Sequence, residues 1–196
     1  MSKCYLRAVT SKRERTKTRL AQAAYELFLR QGYEETTVEE IVELAGVSRR
    51  TFFRHFPAKV DAAFVDVDEL HQRVGAALAN SDPRLSTLAV IRSVVEESAA
   101  LYLNRSSLLL ERVKLLRVTP SLRDHRRARV ERTAALWAAF VRGRAPDKPA
   151  VLADMVGGAI VAMAFRLQDI WADSGGTAEM GEHVAEALGL LEAAFG

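Results

Sequence analysis

Residues 36–59 read TTVEEIVELAGVSRRTFFRHFPAK, and this stretch decides the fold. Thr37 and Glu40 have the spacing of a capping box, which predicts the start of a short helix. Apolar residues then recur at helical spacing until Gly46, where a left-handed backbone conformation allows a turn. Ser48 is a suitable N-cap for a second short helix. Two short helices joined by a tight turn predict a helix-turn-helix unit.

The second helix of this unit has one apolar and one polar side. Val47 and Phe52 are predicted to face inward and to hold the second helix against the first. The side chains left for a DNA major groove are Arg49, Arg50, Thr51 and Arg54. Arginine makes two hydrogen bonds with guanine, and the threonine methyl contacts thymine. The hydroxyls at the helix starts, Thr37 and Ser48, suit phosphate, where they set the register without reading the sequence.

Outward from this unit, apolar residues recur at helical spacing along almost the whole chain, and no segment alternates as a strand does. We predict an all-α protein of about nine helices, with a three-helix head that carries the helix-turn-helix and a larger helical body. The predicted divisions are a flexible basic arm over 1–15, a DNA-binding domain over 16–58 and the body over 59–196. The predicted helices after the head lie near 59–78, 85–104, 106–117, 121–143, 148–172 and 178–195.

The chain has 196 residues and a net charge of +3, with the positive charge concentrated at its start. Residues 1–60 contain twelve Lys and Arg against seven Glu, and such a basic segment attracts DNA. The single cysteine, Cys4, suits a reducing compartment and is expected to have no redox role. We find no apolar run of the roughly 20 residues that cross a bilayer and no signal peptide. We therefore expect a cytoplasmic protein without membrane contact.

The patterns that would indicate an enzyme are missing from the sequence. It has no paired-histidine metal motif, no glycine-rich phosphate loop and no G-x-S-x-G turn. His71, His125 and His183 lie far apart and lack the cysteine or carboxylate spacing of a metal site. We expect a protein that is not an enzyme, with no catalytic residue, no metal and no cofactor.

The stretch over 16–64 resembles the N-terminal domain of TetR-family regulators. The matching residues are Leu27 and Phe28 before Gly32 and Tyr33, then Thr36, Thr37, Val38, Ile41, Ala45, Gly46, Val47 and Ser48. The most specific run is TFFRHF over 51–56, followed by Lys59. The variant RRTFFR over 49–54 is similar to a subgroup common among actinobacterial regulators.

The resemblance implies roles for individual residues of the head. Positions that approach bases are held here by Arg49, Arg50 and Thr51. Phe53 stands where the family usually has a tyrosine that contacts phosphate, so ring packing against sugar or a thymine methyl replaces that hydrogen bond. His55 and Lys59 match phosphate-contacting positions.

The resemblance also implies that the body forms a homodimer. One helix reads only a few base pairs, whereas a twofold dimer places two reading heads about 34–36 Å apart on a palindromic operator in double-stranded DNA. The residues expected at the interface are Met155, Gly158, Ala162, Val184, Leu188 and Leu191. The same residues also fit the core of a single subunit.

The resemblance also implies that the body, besides dimerisation, serves ligand binding in a small-molecule cavity between its helices. The candidate lining residues are Tyr102, Leu109, Arg112, Leu116, Trp137, Phe140, Phe165 and Trp171. These side chains also fit an ordinary core. Few polar groups interrupt their faces, which indicates a hydrophobic or amphipathic effector, with an acyl chain bearing an anionic head group as the first choice. The arginine-rich run over 123–132 is interpreted as a solvated helix paired locally with Asp124 and Glu131 rather than as a head-group site.

The function expected from these features is that of a sequence-specific DNA-binding transcriptional regulator. Repression is the default of the family, with release from a palindromic operator when the effector binds. The helix after the head belongs to both parts, so a filled cavity behind it would tilt the heads, provided that the ligand binds the two states with different affinity. The alternative with the same fold is a constitutive regulator, or one controlled by a protein partner.

Overall fold

The computed structural model describes residues 11–103 and 107–177, together with residues 183, 186, 187 and 189. Within the two continuous ranges the chain forms nine α-helices and one 3-10 turn, and it forms no strand there. The all-α prediction is confirmed. The chain divides into two compact units, Met1–Val65 and Asp66–Gly196, whereas the sequence placed the division between residues 58 and 59.

The first unit, called the head below, contains α1 (Lys12–Gln31), α2 (Val38–Leu44), α3 (Arg49–His55) and α4 (Lys59–Ala63). The helix α1 begins earlier than the expected flexible arm allows. Ser11 caps it through a reciprocal capping box with Glu14, in which the Glu14 amide donates to Ser11 Oγ at 3.1 Å and the Ser11 amide to Glu14 Oε2 at 2.7 Å. Residues 11–15 therefore belong to the helix region, and the remainder of the expected arm lies outside the described residues.

The core of the head is built from the apolar stripe of α1 and the inner sides of α2 and α3. Its largest buried side chains are Leu20, Tyr25, Leu27, Phe28, Ile41, Phe52 and Phe56. The Tyr25 hydroxyl donates to the carbonyl of Ala63, which ties α1 to α4. A buried hydroxyl needs such a partner, so this bond satisfies the polar atom within an apolar core.

The helix predicted over 59–78 is divided in the structure. The helix α4 ends at Ala63, and α5 (Val65–Ala79) follows after Phe64, whose φ of −116° and ψ of 15° are not helical. The Phe64 side chain is fully buried. The prediction of one continuous helix was wrong because apolar spacing alone does not show a single non-helical residue.

The second unit, called the body below, contains most of α5, four further helices and one 3-10 turn. These are α6 (Thr87–Leu103), α7 (Ser107–Val118), a 3-10 turn (Pro120–Leu122), α8 (Arg123–Arg144) and α9 (Ala150–Asp173). The helices predicted near 85–104, 106–117, 121–143 and 148–172 are confirmed to within a few residues. The helix predicted over 178–195 falls almost entirely outside the described residues.

Close packing of α8 against α9 depends on a glycine. A Cβ atom placed on Gly157 of α9 would lie 2.5 Å from the Ala134 carbonyl oxygen and 2.8 Å from the Ala138 nitrogen of α8. Both atoms belong to the backbone and cannot turn aside. Around this crossing the body core includes Trp137, Ile160 and Val161, all of them buried.

The helix α9 is more apolar than the sequence analysis allowed. By length and composition it is able to cross a membrane, since its most apolar 18-residue window has a mean hydropathy of 1.8. The expectation that no such run exists was therefore wrong. The buried residues of α9, among them Ile160, Val161, Leu167 and Trp171, belong to the body core, which accounts for part of that apolar character.

Candidate nucleic-acid interface and cavity

The turn between α2 and α3 is fixed by backbone conformation and by capping. Gly46 has a φ of 61°, a left-handed conformation that residues with a side chain rarely adopt. Ser48 caps α3 by accepting from the Thr51 amide at 3.2 Å, and Thr37 caps α2 in a capping box with Glu40. Phe52 is fully buried. These features settle which side of α3 faces away from the core.

The outer side of α3 carries the predicted base-reading residues. Arg49, Arg50, Phe53 and Arg54 are exposed, and Thr51 is half-buried. The Arg49 guanidinium is held in place, since it lies 2.9 Å from a Glu39 carboxylate oxygen and 5.5 Å from the centre of the Phe53 ring. Glu39 was not among the residues predicted to form this site. Its position as the second residue of α2 did not indicate that it would reach across to α3.

The three hydroxyls predicted at this surface, those of Thr37, Ser48 and Thr51, all form hydrogen bonds at the helix starts. Thr37 Oγ1 lies 2.9 Å from Glu40 Oε2 and accepts from the Glu40 amide, and Ser48 Oγ lies 3.0 Å from Thr51 Oγ1. Thr37 and Ser48 are exposed, so their oxygen atoms remain within reach of a DNA backbone. In this structure, however, Thr37 and Ser48 act as the N-caps of α2 and α3.

His55, at the end of α3, is less accessible than expected. Its Nε2 atom is buried and has no hydrogen-bond partner among the described residues. Burial lowers the pKa of His55, and the nearby positive charges of Arg54, Arg13 and Lys17 lower it further. The ring is therefore neutral at physiological pH, and any phosphate contact that it makes lacks the attraction of a full positive charge.

Lys59 directs its ammonium toward the loop after α1. Its Nζ atom donates to the carbonyl oxygens of Tyr33 and Thr36, each at 2.7 Å, and of Glu34 at 3.3 Å. It also lies 4.3 Å from the centre of the Tyr33 ring. An ammonium has three N–H groups, and all three are used inside the head. The expected phosphate contact stays a prediction, but the structure adds a positioning role that the resemblance did not indicate.

The body contains a cavity of about 80 Å³. A single water molecule needs roughly 10–15 Å³, so the cavity has room for a molecule larger than water. Its walls come from α5, α6, α8 and α9. The lining side chains are Val67, Leu70, His71, Val74, Val95, Ser98, Ala99, Thr133, Trp137, Ile160, Val161, Ala164, Phe165, Leu167 and Gln168.

Of the six predicted ligand residues whose side chains the structure describes, two line this cavity, namely Trp137 and Phe165. Trp171 is buried in the core, and the Phe140 ring lies 5.1 Å from the Arg144 guanidinium carbon. Arg112 forms an ion pair with Asp66 at 2.6 Å, with both side chains largely buried, so its part in the body is structural. Leu116 is half-buried and is not among the lining residues. The side chains of Tyr102 and Leu109 lie outside the described residues.

Four polar residues of the cavity were missed by the sequence analysis. They are His71 on α5, Ser98 on α6, Thr133 on α8 and Gln168 on α9. His71 Nδ1 lies 3.1 Å from Thr133 Oγ1, and the Thr133 hydroxyl donates to the Arg129 carbonyl at 3.0 Å. Burial lowers the pKa of His71, as does nearby Arg132, while Asp68 opposes them. The only signal in the sequence for these four positions is that each is a polar residue on an otherwise apolar helix face.

The arginine-rich segment of α8 is only partly the solvated surface that was predicted. Arg127 pairs locally with Glu131 at 3.0 Å, as expected. Arg129 and Arg132 instead reach Asp68 on α5, and Arg126 approaches Asp169 on α9 at 3.8 Å. The interpretation as a purely local network was therefore wrong, because these partners are distant in sequence.

One side of α9 is apolar and exposed. Met155 is 65% exposed, Val151 59% and Leu152 45%, and the expected interface residues Gly158 and Ala162 are exposed as well. The other three expected interface residues, Val184, Leu188 and Leu191, lie outside the described residues. A row of large apolar side chains on one helix face is typical of a surface that another protein surface covers.

Taken with the exposed arginines of α3, this fold defines a helix-turn-helix protein of the DNA-binding class. Residues 20–61 match the bacterial regulatory proteins of the TetR family, and residues 85–196 match the MftR C-terminal domain. The second match alone covers more than half of the chain. The chain belongs to the TetR family.

Individual relatives agree with this assignment. The HTH-type transcriptional regulator TcmR of Streptomyces glaucescens is 41% identical over 88 residues, which are 43% of this chain and 39% of that protein. FadR of Bacillus subtilis, solved with stearoyl-CoA, has a TM-score of 0.66 at 15% identity over 89% of this chain and 96% of its own. FadR of Thermus thermophilus, solved with lauroyl-CoA, has a TM-score of 0.59 at 25% identity over 89% and 92%. The match to TcmR thus spans about two fifths of that protein.

Proposed function

We propose that this protein is a cytoplasmic, sequence-specific DNA-binding transcriptional regulator and not an enzyme, with α3 as the reading helix. The observation that carries the proposal is the position of Arg50 and Arg54 on the exposed side of a helix whose opposite side is anchored by buried Phe52. Neither arginine forms an ion pair with another described residue, so both guanidinium groups are available. Arginine is the side chain that most often reads guanine in the major groove.

The other residues predicted to contact DNA already form contacts within the head, and these contacts determine the role proposed for each of them. Arg49 is proposed to contact DNA from a position preset by Glu39 and Phe53. Thr37 and Ser48 are proposed to contact phosphate with hydroxyls that also cap their helices. Thr51, whose hydroxyl lies 3.0 Å from Ser48 Oγ, is proposed to approach a base. His55 contributes as a neutral ring, and Lys59 acts mainly by holding the loop after α1.

The operator is proposed to be palindromic because the protein is proposed to act as a homodimer. The exposed apolar side of α9, which includes Met155, Gly158 and Ala162, is the surface on which the two subunits would meet. The two heads of the dimer then bind the two half-sites of the operator, and together they bind more tightly than one head does alone.

The cavity in the body is proposed to bind a small hydrophobic or amphipathic effector that releases the protein from its operator. Support comes from the mostly apolar lining and from the two FadR structures, which hold acyl-CoA molecules. The helix α5 lines the cavity and begins at Val65, where the two units divide. A ligand that binds the released state more tightly than the DNA-bound state shifts the population toward release.

Selection of bound sequences from a random pool of double-stranded DNA, at a stated salt concentration, tests the DNA-binding part. We expect a palindromic consensus. Recovery of no consensus, with binding that depends on salt alone, would contradict sequence-specific recognition by the isolated dimer. A regulator controlled by a protein partner is the second candidate, and it predicts that the same selection yields a consensus only after the partner is added.

A further inference from the structure

The polar groups of the cavity are few and uncharged. His71, Ser98, Thr133 and Gln168 come from four different helices, and the described lining contains no Lys, Arg, Asp or Glu. Three arginines of α8 lie in the same part of the body: Arg129 and Arg132 pair with Asp68, and Arg126 lies 3.8 Å from Asp169 and 4.8 Å from the centre of the Phe165 ring. A carboxylate or phosphate placed inside the lining would have no cationic partner among the lining residues themselves, and burying an unpaired charge is costly.

The hydrogen atoms of the cavity hydroxyls are already used. The Ser98 hydroxyl donates to the Val94 carbonyl at 2.7 Å, and the Thr133 hydroxyl donates to the Arg129 carbonyl at 3.0 Å. A hydroxyl has one hydrogen, so both oxygen atoms retain only lone pairs for other partners. Ser98 can therefore accept a hydrogen bond from a ligand but cannot donate one without giving up its helix contact.

The hydrogen bonds around His71 also indicate which of its two ring nitrogens carries the hydrogen. Thr133 has one hydroxyl hydrogen, so its 3.0 Å contact with the Arg129 carbonyl and its 3.1 Å contact with His71 Nδ1 are both satisfied only when Nδ1 carries a hydrogen. The low pKa of His71 keeps the ring neutral. In a neutral imidazole with Nδ1 protonated, Nε2 is an acceptor. His71, Ser98 and Thr133 thus offer acceptors, and of the four polar residues only Gln168 also has free donors to offer, besides its own acceptor oxygen.

We propose that the cavity recognises neutral, largely apolar molecules that carry a hydroxyl group, with His71 Nε2 accepting the hydrogen bond of that hydroxyl and Ser98 Oγ as the second acceptor. This inference rests on the proposed effector role of the cavity and narrows it, because it excludes an anionic head group from the buried part of the site. A buried acceptor left unpaired loses affinity, so the site discriminates against analogues without the hydroxyl.

Three probes of matched size test the proposal: 4-propylphenol, its methyl ether 4-propylanisole, and the anion 4-propylbenzoate. Binding is measured by tryptophan fluorescence, since Trp137 lies in the cavity wall, and by thermal shift. We expect the phenol to bind about two- to tenfold more tightly than the ether, as one neutral hydrogen bond implies, and the benzoate to bind most weakly. Equal affinities for phenol and ether, or a preference for benzoate, would overturn the proposal.

Variants locate the acceptor. His71→Leu should abolish the preference for phenol over ether while the ether still binds, and His125→Leu, at an exposed position of α8, should leave the preference intact. Thr133→Val keeps the shape of the wall but removes the oxygen that orients the ring, so it should reduce the preference even if His71→Leu fails to fold. A preference that survives in both cavity variants would also overturn the assignment.

The outcome separates this inference from the proposed function. If the probes bind without discrimination, the hydroxyl recognition fails and an apolar effector still stands. If none of the probes changes the fluorescence or the melting temperature, both the recognition and the effector role of the cavity fail. If the phenol is preferred but selection yields no operator, the inference stands and the DNA-binding proposal fails.

Discussion

Adjacent arginines at the start of α3 are placed differently. Arg49 is bound to Glu39 at 2.9 Å and lies over Phe53, whereas Arg50 is exposed and forms no ion pair with any other described residue. Holding Arg49 in one conformation lowers the conformational entropy that it loses on binding. Arg50 must become ordered in the complex, but it has no competing partner to release.

Replacement of Arg50 by alanine tests the reading side of α3. Arg50→Ala should weaken binding to the selected operator by about 1–3 kcal/mol, the range for an arginine that contacts guanine, with little change in melting temperature. The control is Arg30→Ala, which removes the same charge from an exposed position at the end of α1. Equal losses in both variants, measured by fluorescence anisotropy, would show a general effect of charge and not base reading.

Lys59 is expected to matter for the stability of the head. Lys59→Met removes the charged donor of three carbonyl hydrogen bonds and should lower the free energy of unfolding by about 1.5–3 kcal/mol. Lys12→Met, at an exposed position on α1, is the matched control and should change little. Unfolding in urea followed by circular dichroism measures both. A Lys59→Met protein of normal stability and reduced DNA affinity would instead favour the phosphate contact.

The close packing of two helices depends on a glycine, which has no side chain. The crossing of α8 and α9 requires glycine at position 157, because an added Cβ would collide with backbone atoms of α8. The next residue, Gly158, faces away from α8 and has no atom within 4 Å of an added Cβ. The two neighbouring glycines therefore make opposite predictions.

Gly157→Ala should destabilise the protein by about 1–3 kcal/mol, the usual cost of overpacking. Gly158→Ala should be neutral or should stabilise the subunit by about 0.5–1 kcal/mol, since alanine is the better helix former. Thermal unfolding of the two variants side by side is the measurement. Similar melting temperatures for the two would mean that α8 and α9 do not approach as closely as described.

For the whole molecule, assembly is expected to depend on the exposed side of α9. Met155→Glu should shift the protein from dimer to monomer, because it places a charge in the proposed apolar interface. Val118→Glu is the control, since Val118 is 73% exposed on α7 and outside that surface. Sedimentation equilibrium separates the outcomes. A dimer that survives Met155→Glu would place the interface elsewhere.

Stability should also fall in mild acid. The pKa values of His55 and His71 are lowered below the ordinary 6.5, mainly by burial. The unfolded chain therefore binds more protons than the folded one below that pH, so the stability present at neutral pH is lost as the pH falls through about 6.5 toward the folded values. Melting temperatures between about pH 7.5 and 5.5 measure the loss. His71→Leu should reduce this pH dependence.

Local patterns determined much of this protein. The capping residues, the helical spacing of apolar side chains and the turn glycine Gly46 act over a few neighbouring positions, so the sequence alone predicts the helix-turn-helix and the exposed side of α3. The same local information predicted most of the body helices. It failed at Phe64, because a break of one residue leaves the apolar spacing unchanged on both sides.

The tertiary structure alone decided the rest, because those features join residues that are distant along the chain. Nothing in the spacing of apolar residues links His71 to Thr133 or Lys59 to the carbonyls of residues 33–36. Of the four predicted aromatic residues whose side chains the structure describes, Trp137 and Phe165 line the cavity whereas Phe140 and Trp171 do not, since large apolar side chains satisfy either environment equally well. Which face of a helix borders a cavity depends on how four helices pack together, and that is settled by the whole core and not by any one segment.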